Sequence, residues 1–367
     1  MSTYLKRPLN STILVLLFFL LFAKVSPILQ GYILPIFLIG SVFLSSIIIH
    51  ELGHVVFGLL AGLRFEFFVV GPIKVIRREK RVRVVENKSW SLYGGVACMV
   101  HTEYRNINDL KKSHFWFVLG GMLNNLIFSI LTLLLYFYTD YNWLIVFAIV
   151  NFMSAALSVI PTKGSELISD GLRLKKLNQG EDEFRGYLIS VQIGTELFIK
   201  ESASEWDIEL IKQAEMTLEC SPELDTNIHI IQALIYYYLI EKHWERGKKY
   251  ASPYLSKNTS QNKLISQDMY DANYLILLML GKDLDNHTHI KNIISRVSDK
   301  NQLSYYKAQI VLYYILGEKE EAFLILEKAL THVKENEEYA LGRGYEESVL
   351  GLVREFILKN SGSGANT

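Results

Sequence analysis

The sequence predicts an α-helical membrane protein with about four transmembrane helices and a short β-hairpin segment, followed by an α-helical soluble domain. Half of the 367 residues are hydrophobic, and they concentrate in the first 160 positions, in runs long enough to cross a bilayer. The remainder has the charge content and helical periodicity of a soluble protein. We predict domains at residues 1–178 and 179–358 and a disordered tail at 359–367.

Charge and cysteine usage exclude several classes of protein. Lysine plus arginine and aspartate plus glutamate both total 38, so bulk charge gives no indication of a nucleic-acid partner. The two cysteines, Cys98 and Cys220, lie far apart and have neither redox nor zinc-pair spacing. A disulfide framework is therefore not expected, and a reducing compartment fits the chain.

We expect four membrane spans, at about residues 12–29, 32–63, 114–138 and 143–160. The first could instead be a signal peptide, but no small-x-small cleavage site follows and another hydrophobic span begins at once. Basic residues concentrate before the first span, between the second and third, and after the fourth. This pattern predicts that both termini lie in the cytoplasm.

The segment at 64–100 is predicted to form strands, including a hairpin. It contains Gly71-Pro72 and a charged/β-branched alternation from Lys80 to Val84. It could be a basic juxtamembrane loop that only sets topology. It could equally supply an exposed edge strand that pairs with an unwound substrate.

One stretch inside the second span carries chemistry. It reads His50-Glu51-Leu52-Gly53-His54, with no charged residue at 32–49 or 55–63. Four residues turn a helix by about 400°, so His50 and His54 project from one face, where two imidazoles can bind one Zn²⁺. Glu51 can then reach a water at the metal, and Gly53 is expected to leave the helix surface bare beside it. Ionisable side chains in an apolar span indicate function.

This motif in a membrane helix resembles the site-2 protease family of intramembrane zinc metalloproteases. The resemblance extends to Asp170-Gly171, which is similar to the family's Asp-Gly signature near the end of a later membrane helix. It implies that Asp170 is the third zinc ligand, with Glu51 as the catalytic base. From the residues alone, the other candidate third ligands are Glu66, His101, Glu103, His114 and Glu166. Only Asp170 is followed by glycine, which we expect to let the chain turn closely against the zinc helix.

The third span contains Gly120-Gly121-Met122-Leu123-Asn124-Asn125, which resembles the family's Gly-rich, Asn-containing helix. The glycines are expected mainly to let helices approach closely. Asn124 and Asn125 are candidates for contact with substrate or with the oxyanion.

The expected function is zinc-dependent intramembrane proteolysis near the cytoplasmic face of a bacterial cell membrane. The cofactor would be Zn²⁺ and the partners the lipid bilayer and a membrane-embedded peptide or protein. The alternatives are a catalytically inactive membrane scaffold that presents the helical domain, and a metal-binding transporter or immunity protein. A transport path is disfavoured because the spans hold no further carboxylates.

The soluble domain is predicted to be helical and tetratricopeptide-like. Tyr313, Ala322, Leu326 and Ala329 resemble the helix-pair packing positions of that repeat, with a looser echo near 237–247. Such arrays bind a peptide or protein on a concave face. The alternative is a helical bundle that only supports the membrane domain.

Overall fold

A computed structural model describes residues 7–25, 27–78, 81–88, 90–101, 107–162, 169–200, 202–220, 227–255, 265–335 and 343–361. The chain divides into two compact units, Met1–Gly180 and Glu181–Thr367. The first unit contains long apolar helices and a β-sheet. All the elements that the structure describes in the second unit are helices.

The first unit has five α-helices among its described residues: α1 (Pro8–Val25), α2 (Pro27–Leu60), α3 (Ile107–Thr139), α4 (Asn142–Val159) and α5 (Asp170–Leu177). Three described segments are long and apolar enough to cross a membrane: Leu34–Leu60, Ile107–Thr139 and Asn142–Val159. The helix α1 is apolar but contributes a shorter segment, so the total of four spans stays a prediction. The predicted end of the first span at residue 29 is wrong, because α2 already begins at Pro27, whose fixed φ suits a first helical turn.

Helix α2 is longer than the hydrocarbon core of a bilayer is thick, and it ends at a glycine. Its 34 residues extend about 51 Å, against a hydrocarbon core of about 30 Å, and Pro35 lies within it. Gly62 has φ of +80°. Its N–H donates to the Leu59 carbonyl, and the Leu63 N–H donates to the Gly58 carbonyl. This paired arrangement satisfies the last carbonyls and ends the helix.

A four-stranded antiparallel sheet follows α2: β1 (Arg64–Val70), β2 (Ile73–Arg78), β3 (Arg81–Glu86) and β4 (Val96–Val100). The strand order is β3-β2-β1-β4, so β3 and β4 are the edge strands. Gly71, with φ of +56°, makes the turn between β1 and β2. Leu63 and Met99 pack with Phe117 and Val118 of α3, which anchors the sheet beside that helix.

Helices α2 and α3 cross at two glycines. A Cβ at Gly53 would collide with the backbone of Gly120, and a Cβ at Gly120 would meet the Gly53 carbonyl oxygen at 2.6 Å. Gly53 therefore allows the two backbones to approach. The expectation that it leaves a bare surface beside the metal is wrong, because α3 covers that surface.

The second unit contains nine described α-helices: α6 (Glu181–Ile199), α7 (Ile208–Cys220), α8 (Asn227–Ile240), α9 (Trp244–Leu255), α10 (Ile265–Leu280), α11 (His287–Arg296), α12 (Gln302–Ile315), α13 (Lys319–Glu335) and α14 (Arg343–Ser361). Successive helices pack on each other from α6 to α14. Ala322, Leu326 and Ala329 are fully buried, as helix-pair packing positions should be. The tetratricopeptide-like assignment itself stays a prediction.

The last helix folds back onto earlier ones. In addition to α13, α14 packs against α8 and α10, and α10 is buried from Tyr270 to Leu280. Helix α14 thus covers part of the surface of α8 and α10. Because α14 extends to Ser361, predicted disorder at 359–361 is wrong, and residues 362–367 lie outside the described part.

Candidate metal centre

His50 and His54 lie one turn apart on α2, as their spacing predicts, with ring centroids 4.8 Å apart. The His54 side chain is buried, and its Nδ1 lies 2.8 Å from the carbonyl oxygen of Phe117 on α3. Because a carbonyl can only accept, Nδ1 donates to it, and in the neutral ring Nε2 is then the nitrogen that can bind a metal. The backbone of α3 therefore holds His54 in the tautomer that binds metal through Nε2.

Asp170 brings a carboxylate to the same two rings. Its Oδ2 lies 2.9 Å from His50 Nε2 and 3.2 Å from His54 Nε2. One donor atom from each of these three residues lies within 4.8 Å of the others, and this is the one such His/Cys/Asp/Glu group among the described residues. The structure therefore brings together the three residues that the sequence proposed as ligands.

The local sequence explains how Asp170 reaches this position. Ser169 caps α5: its Oγ accepts from the Leu172 N–H and donates to the Ile160 carbonyl at the end of α4. A Cβ at Gly171 would collide with the carbonyl of Val159, so only glycine fits there. The expectation that this glycine faces the zinc helix is wrong, because it faces the end of α4.

Charge around Asp170 favours its carboxylate form. Burial by itself would raise the pKa of Asp170. The neighbouring His54 and His50 and the Arg173 guanidinium outweigh burial, and the pKa lies well below its usual range. Arg173 lies one turn along α5, with Nη1 3.6 Å from Asp170 Oδ1. This contact leaves Oδ2 facing the histidines.

Gly121 provides the space that an ion would need. A Cβ at this position would lie 2.6 Å from His54 Nε2 and 2.7 Å from His50 Nε2. Any other side chain would thus intrude where the two nitrogens converge. Two imidazole nitrogens and one carboxylate oxygen are also the donor set of many catalytic zinc sites. The site residues therefore fit a zinc ion. The three candidate ligands come from α2 and α5, and the glycine that leaves the space lies on α3.

Glu51 is buried and faces the start of β4. Gly95, with φ of +105°, packs so closely that a Cβ there would lie 2.8 Å from Glu51 Oε1. A carboxylate beside a metal-ligand set can exchange protons with water bound there. Glu51 lies on the same helix as the two histidines and next to the edge strand β4, a position that allows such proton exchange.

Asn124 and Asn125 differ in their contacts. Asn124 Nδ2 donates to the Ile49 carbonyl on α2 at 2.5 Å. Asn125 is fully buried, with Nδ2 3.4 Å from His50 Nδ1. Both side chains thus contact α2, and their predicted contact with substrate or oxyanion stays a prediction.

The remaining candidate ligands lie elsewhere or outside the described residues. Glu66 is ion-paired with Arg64, and the buried His114 packs against the ring of Phe117. His101 follows β4 and is not part of the three-residue group. Glu103 and Glu166 lie outside the described residues.

Four groups that contribute to the site were not predicted from the sequence: the Phe117 carbonyl, Gly121 beside the imidazole nitrogens, Gly95 beside Glu51, and Arg173. Arg173 could have been found, because residues three apart on a helix are neighbours. The other three depend on how α3 and the sheet pack against α2, which no local pattern reports.

Comparison with protein-family models matches residues 38–333 to peptidase family M50. The matched region is more than half of the chain and contains all three candidate ligands and Glu51. No curated protein and no solved structure gives a match. The family match and the converging histidines and aspartate lead to one conclusion: the chain belongs to peptidase family M50, the site-2 protease family of membrane metalloproteases.

Proposed function

We propose that this chain is a zinc-dependent intramembrane endopeptidase that cleaves membrane-embedded peptides or regulators. One observation carries the proposal: His50, His54 and Asp170 converge beside Glu51 within the apolar helix bundle. The family consists of zinc metalloproteases, which agrees with this donor set. A bound ion would have ligand distances of about 2.0–2.2 Å.

The metal, Glu51 and Gly95 have different roles in the proposed reaction. The chemistry supplied by zinc is that of a Lewis acid, which polarises a peptide carbonyl and acidifies water. Glu51 accepts a proton from the attacking water and delivers it to the leaving amine nitrogen as the C–N bond breaks. Gly95, directly before β4, has no side chain, so its backbone can lie close against the Glu51 carboxylate.

The sheet edge beside Glu51 is the better candidate for holding an unwound substrate. The alternation of charged and β-branched residues noted in the sequence falls in β3, where Val82 and Val84 are exposed. Strand β3 is the other edge of the sheet, away from β4. Edge strand β4 begins directly after Gly95. A substrate strand paired with β4 would bring its backbone close to Glu51, and a transmembrane helix must unwind before it is cut.

The helix lengths and the basic residues indicate where the site lies in the membrane. His54 lies about 9 Å from the end of α2 at Leu60, and the basic 64–113 segment follows. We place this end, and both termini, on the cytoplasmic side of a bacterial membrane. Water can then reach the site from the polar side.

The alternatives are a catalytically inactive scaffold or immunity protein that presents the helical domain, and a metal transporter. Each would bind a partner or an ion without needing Glu51. The buried Glu51 carboxylate next to the ligand set is costly to keep without a role, which favours the enzyme.

The decisive experiment compares membrane peptides, by mass spectrometry, in cells that carry wild type, Glu51→Gln or a control. Glu66→Gln is a matched control, because Glu66 is a partly buried carboxylate of the same unit that pairs with Arg64 outside the ligand group. Peptides present with wild type and Glu66→Gln but absent with Glu51→Gln would support proteolysis. Identical peptide sets in all three would contradict it and favour the scaffold.

A further inference from the structure

Asn125 combines two unusual properties. It is 0% exposed in the middle of α3, and its Nδ2 lies 3.4 Å from Nδ1 of His50. Its Oδ1 is buried without a hydrogen-bond partner in the described part of the chain. An unpaired buried acceptor is costly, so its position beside a candidate ligand requires an explanation.

The tautomer of His50 decides how the two side chains fit together. With Nδ2 of Asn125 facing it, Nδ1 of His50 must act as the acceptor, so the proton of a neutral ring lies on Nε2. That proton points at Asp170 Oδ2, which lies 2.9 Å from His50 Nε2. This arrangement suits a metal-free pair but leaves His50 Nε2 without a lone pair for zinc.

Metal binding through Nε2 reverses this pattern. The proton must then lie on Nδ1, which becomes a donor and needs an acceptor. His54 already has one in the Phe117 carbonyl. The two ends of an asparagine amide have nearly the same shape, so a half-turn about χ2 would present Oδ1 to His50 Nδ1 without displacing the helix.

We propose that Asn125 is the positioning residue for His50: in the zinc-bound state its Oδ1 accepts the Nδ1–H of His50 and fixes the ring and its tautomer. The inference rests on the proposed zinc site, and it gives Asn125 a different role from contact with substrate. Both imidazoles are then held from α3, His54 by a backbone carbonyl and His50 by an amide. Loss of such a partner typically weakens metal binding by about 10–100-fold.

Three variants of the full-length protein in detergent test this. Asn125→Leu removes the acceptor and Asn125→Asp keeps one. Asn151→Leu is the matched control, because Asn151 is equally buried, has an unpaired Oδ1, and bonds to Phe147 of its own helix α4. Zinc dissociation constants are measured by competition with a chromophoric chelator, and thermal unfolding of the metal-free proteins is measured alongside.

We expect Asn125→Leu to raise the zinc Kd at least tenfold, while Asn151→Leu stays within about threefold of wild type. A smaller rise for Asn125→Leu, or an equal rise for Asn151→Leu, would overturn the inference. If Asn125→Leu does not fold, Asn125→Asp decides the question. A carboxylate accepts from Nδ1–H but repels an unprotonated Nδ1, so a Kd less than tenfold weaker supports the inference and a larger loss overturns it. A wild type that binds no zinc would overturn the proposed function as well.

Discussion

The two units of the chain use buried polar side chains in opposite ways. In residues 1–180 the exposed positions are rich in apolar side chains, such as Leu60 and Phe137, while Glu51, His54 and Asp170 are buried. In the described part of residues 181–367 the interior is mainly apolar, and the buried Lys307 and Glu346 neutralise one another. The first unit therefore has an apolar surface and buries polar groups, whereas the second buries a mainly apolar core.

Lys307 shows what a structural buried charge looks like. Its Nζ donates to Asn273 Oδ1 at 2.7 Å and to the Glu346 carboxylate, which also accepts from the Tyr236 hydroxyl at 2.5 Å. Opposite charges meet there, and the Lys307 ammonium and both Glu346 carboxylate oxygens have partners. At the metal centre, by contrast, Gly121 keeps room between the nitrogens. Buried polar groups thus indicate a binding site when they surround room for a ligand. They indicate a structural role when they are paired with one another.

The sharpest test of this contrast is Asp170→Ala. Catalytic zinc needs its third protein ligand, so bound zinc should fall from stoichiometric to background, and cleavage should become undetectable. Metal content of the purified protein by atomic spectroscopy measures the first effect. Asp182→Ala, at an exposed position in the first turn of α6, is the control and should retain zinc. Full zinc content in Asp170→Ala would show that another residue supplies the third ligand.

Glu51→Gln should separate metal binding from catalysis. Glutamine keeps the shape of the side chain but cannot accept the proton of water, so the cleavage rate should fall by about 10²–10⁴-fold. Zinc content should match wild type, since Glu51 is not part of the ligand group. A purified enzyme assayed on a model transmembrane peptide gives the rate. Cleavage close to the wild-type rate would remove Glu51 from the role of base.

Lys307→Met tests the structural side of the comparison. It leaves the Glu346 carboxylate buried without its cation, which should destabilise the second unit by about 3–5 kcal/mol. Lys291→Met, on the exposed side of α11, should change stability by about 0.5 kcal/mol or less. Chemical denaturation monitored by circular dichroism measures both. Zinc affinity should stay at the wild-type value, and its loss would mean that the polar groups of the two units are coupled.

The sequence allowed the local half of the metal centre to be predicted. The spacing of His50 and His54 needs only helical geometry, and their apolar surroundings mark them as functional. Asp170 comes from a distant helix, so it was indicated by the resemblance to a family motif and by the glycine that follows it. The strands at 64–100 were indicated by the short alternation from Lys80 to Val84 and by Gly71-Pro72. Their order was not, because pairing depends on contacts between segments.

Glycines show most clearly why the rest escaped prediction. A glycine in a sequence signals a close approach without naming the partner. Gly53 and Gly171 were expected to face the metal and the zinc helix, and they face α3 and the end of α4 instead. Gly121 was interpreted as packing, yet it lies against both imidazoles. Only the packing of α2, α3 and α4 distinguishes these cases.

The smallest expected effect compares the one thiol in each unit. Cys98 lies in β4 and is partly buried, and burial together with the Glu66 carboxylate raises its pKa to about 12. At pH 8 only about 10⁻⁴ of it would be thiolate, the form that reacts with alkylating reagents. Cys220, at the end of α7, is exposed. We therefore expect iodoacetamide at pH 8 to modify Cys220 readily in the native protein and Cys98 only after unfolding. Mass spectrometry of Cys98→Ser and Cys220→Ser proteins assigns each reaction, and native labelling of Cys98 as fast as that of Cys220 would show that the sheet beside Glu51 is open to solvent.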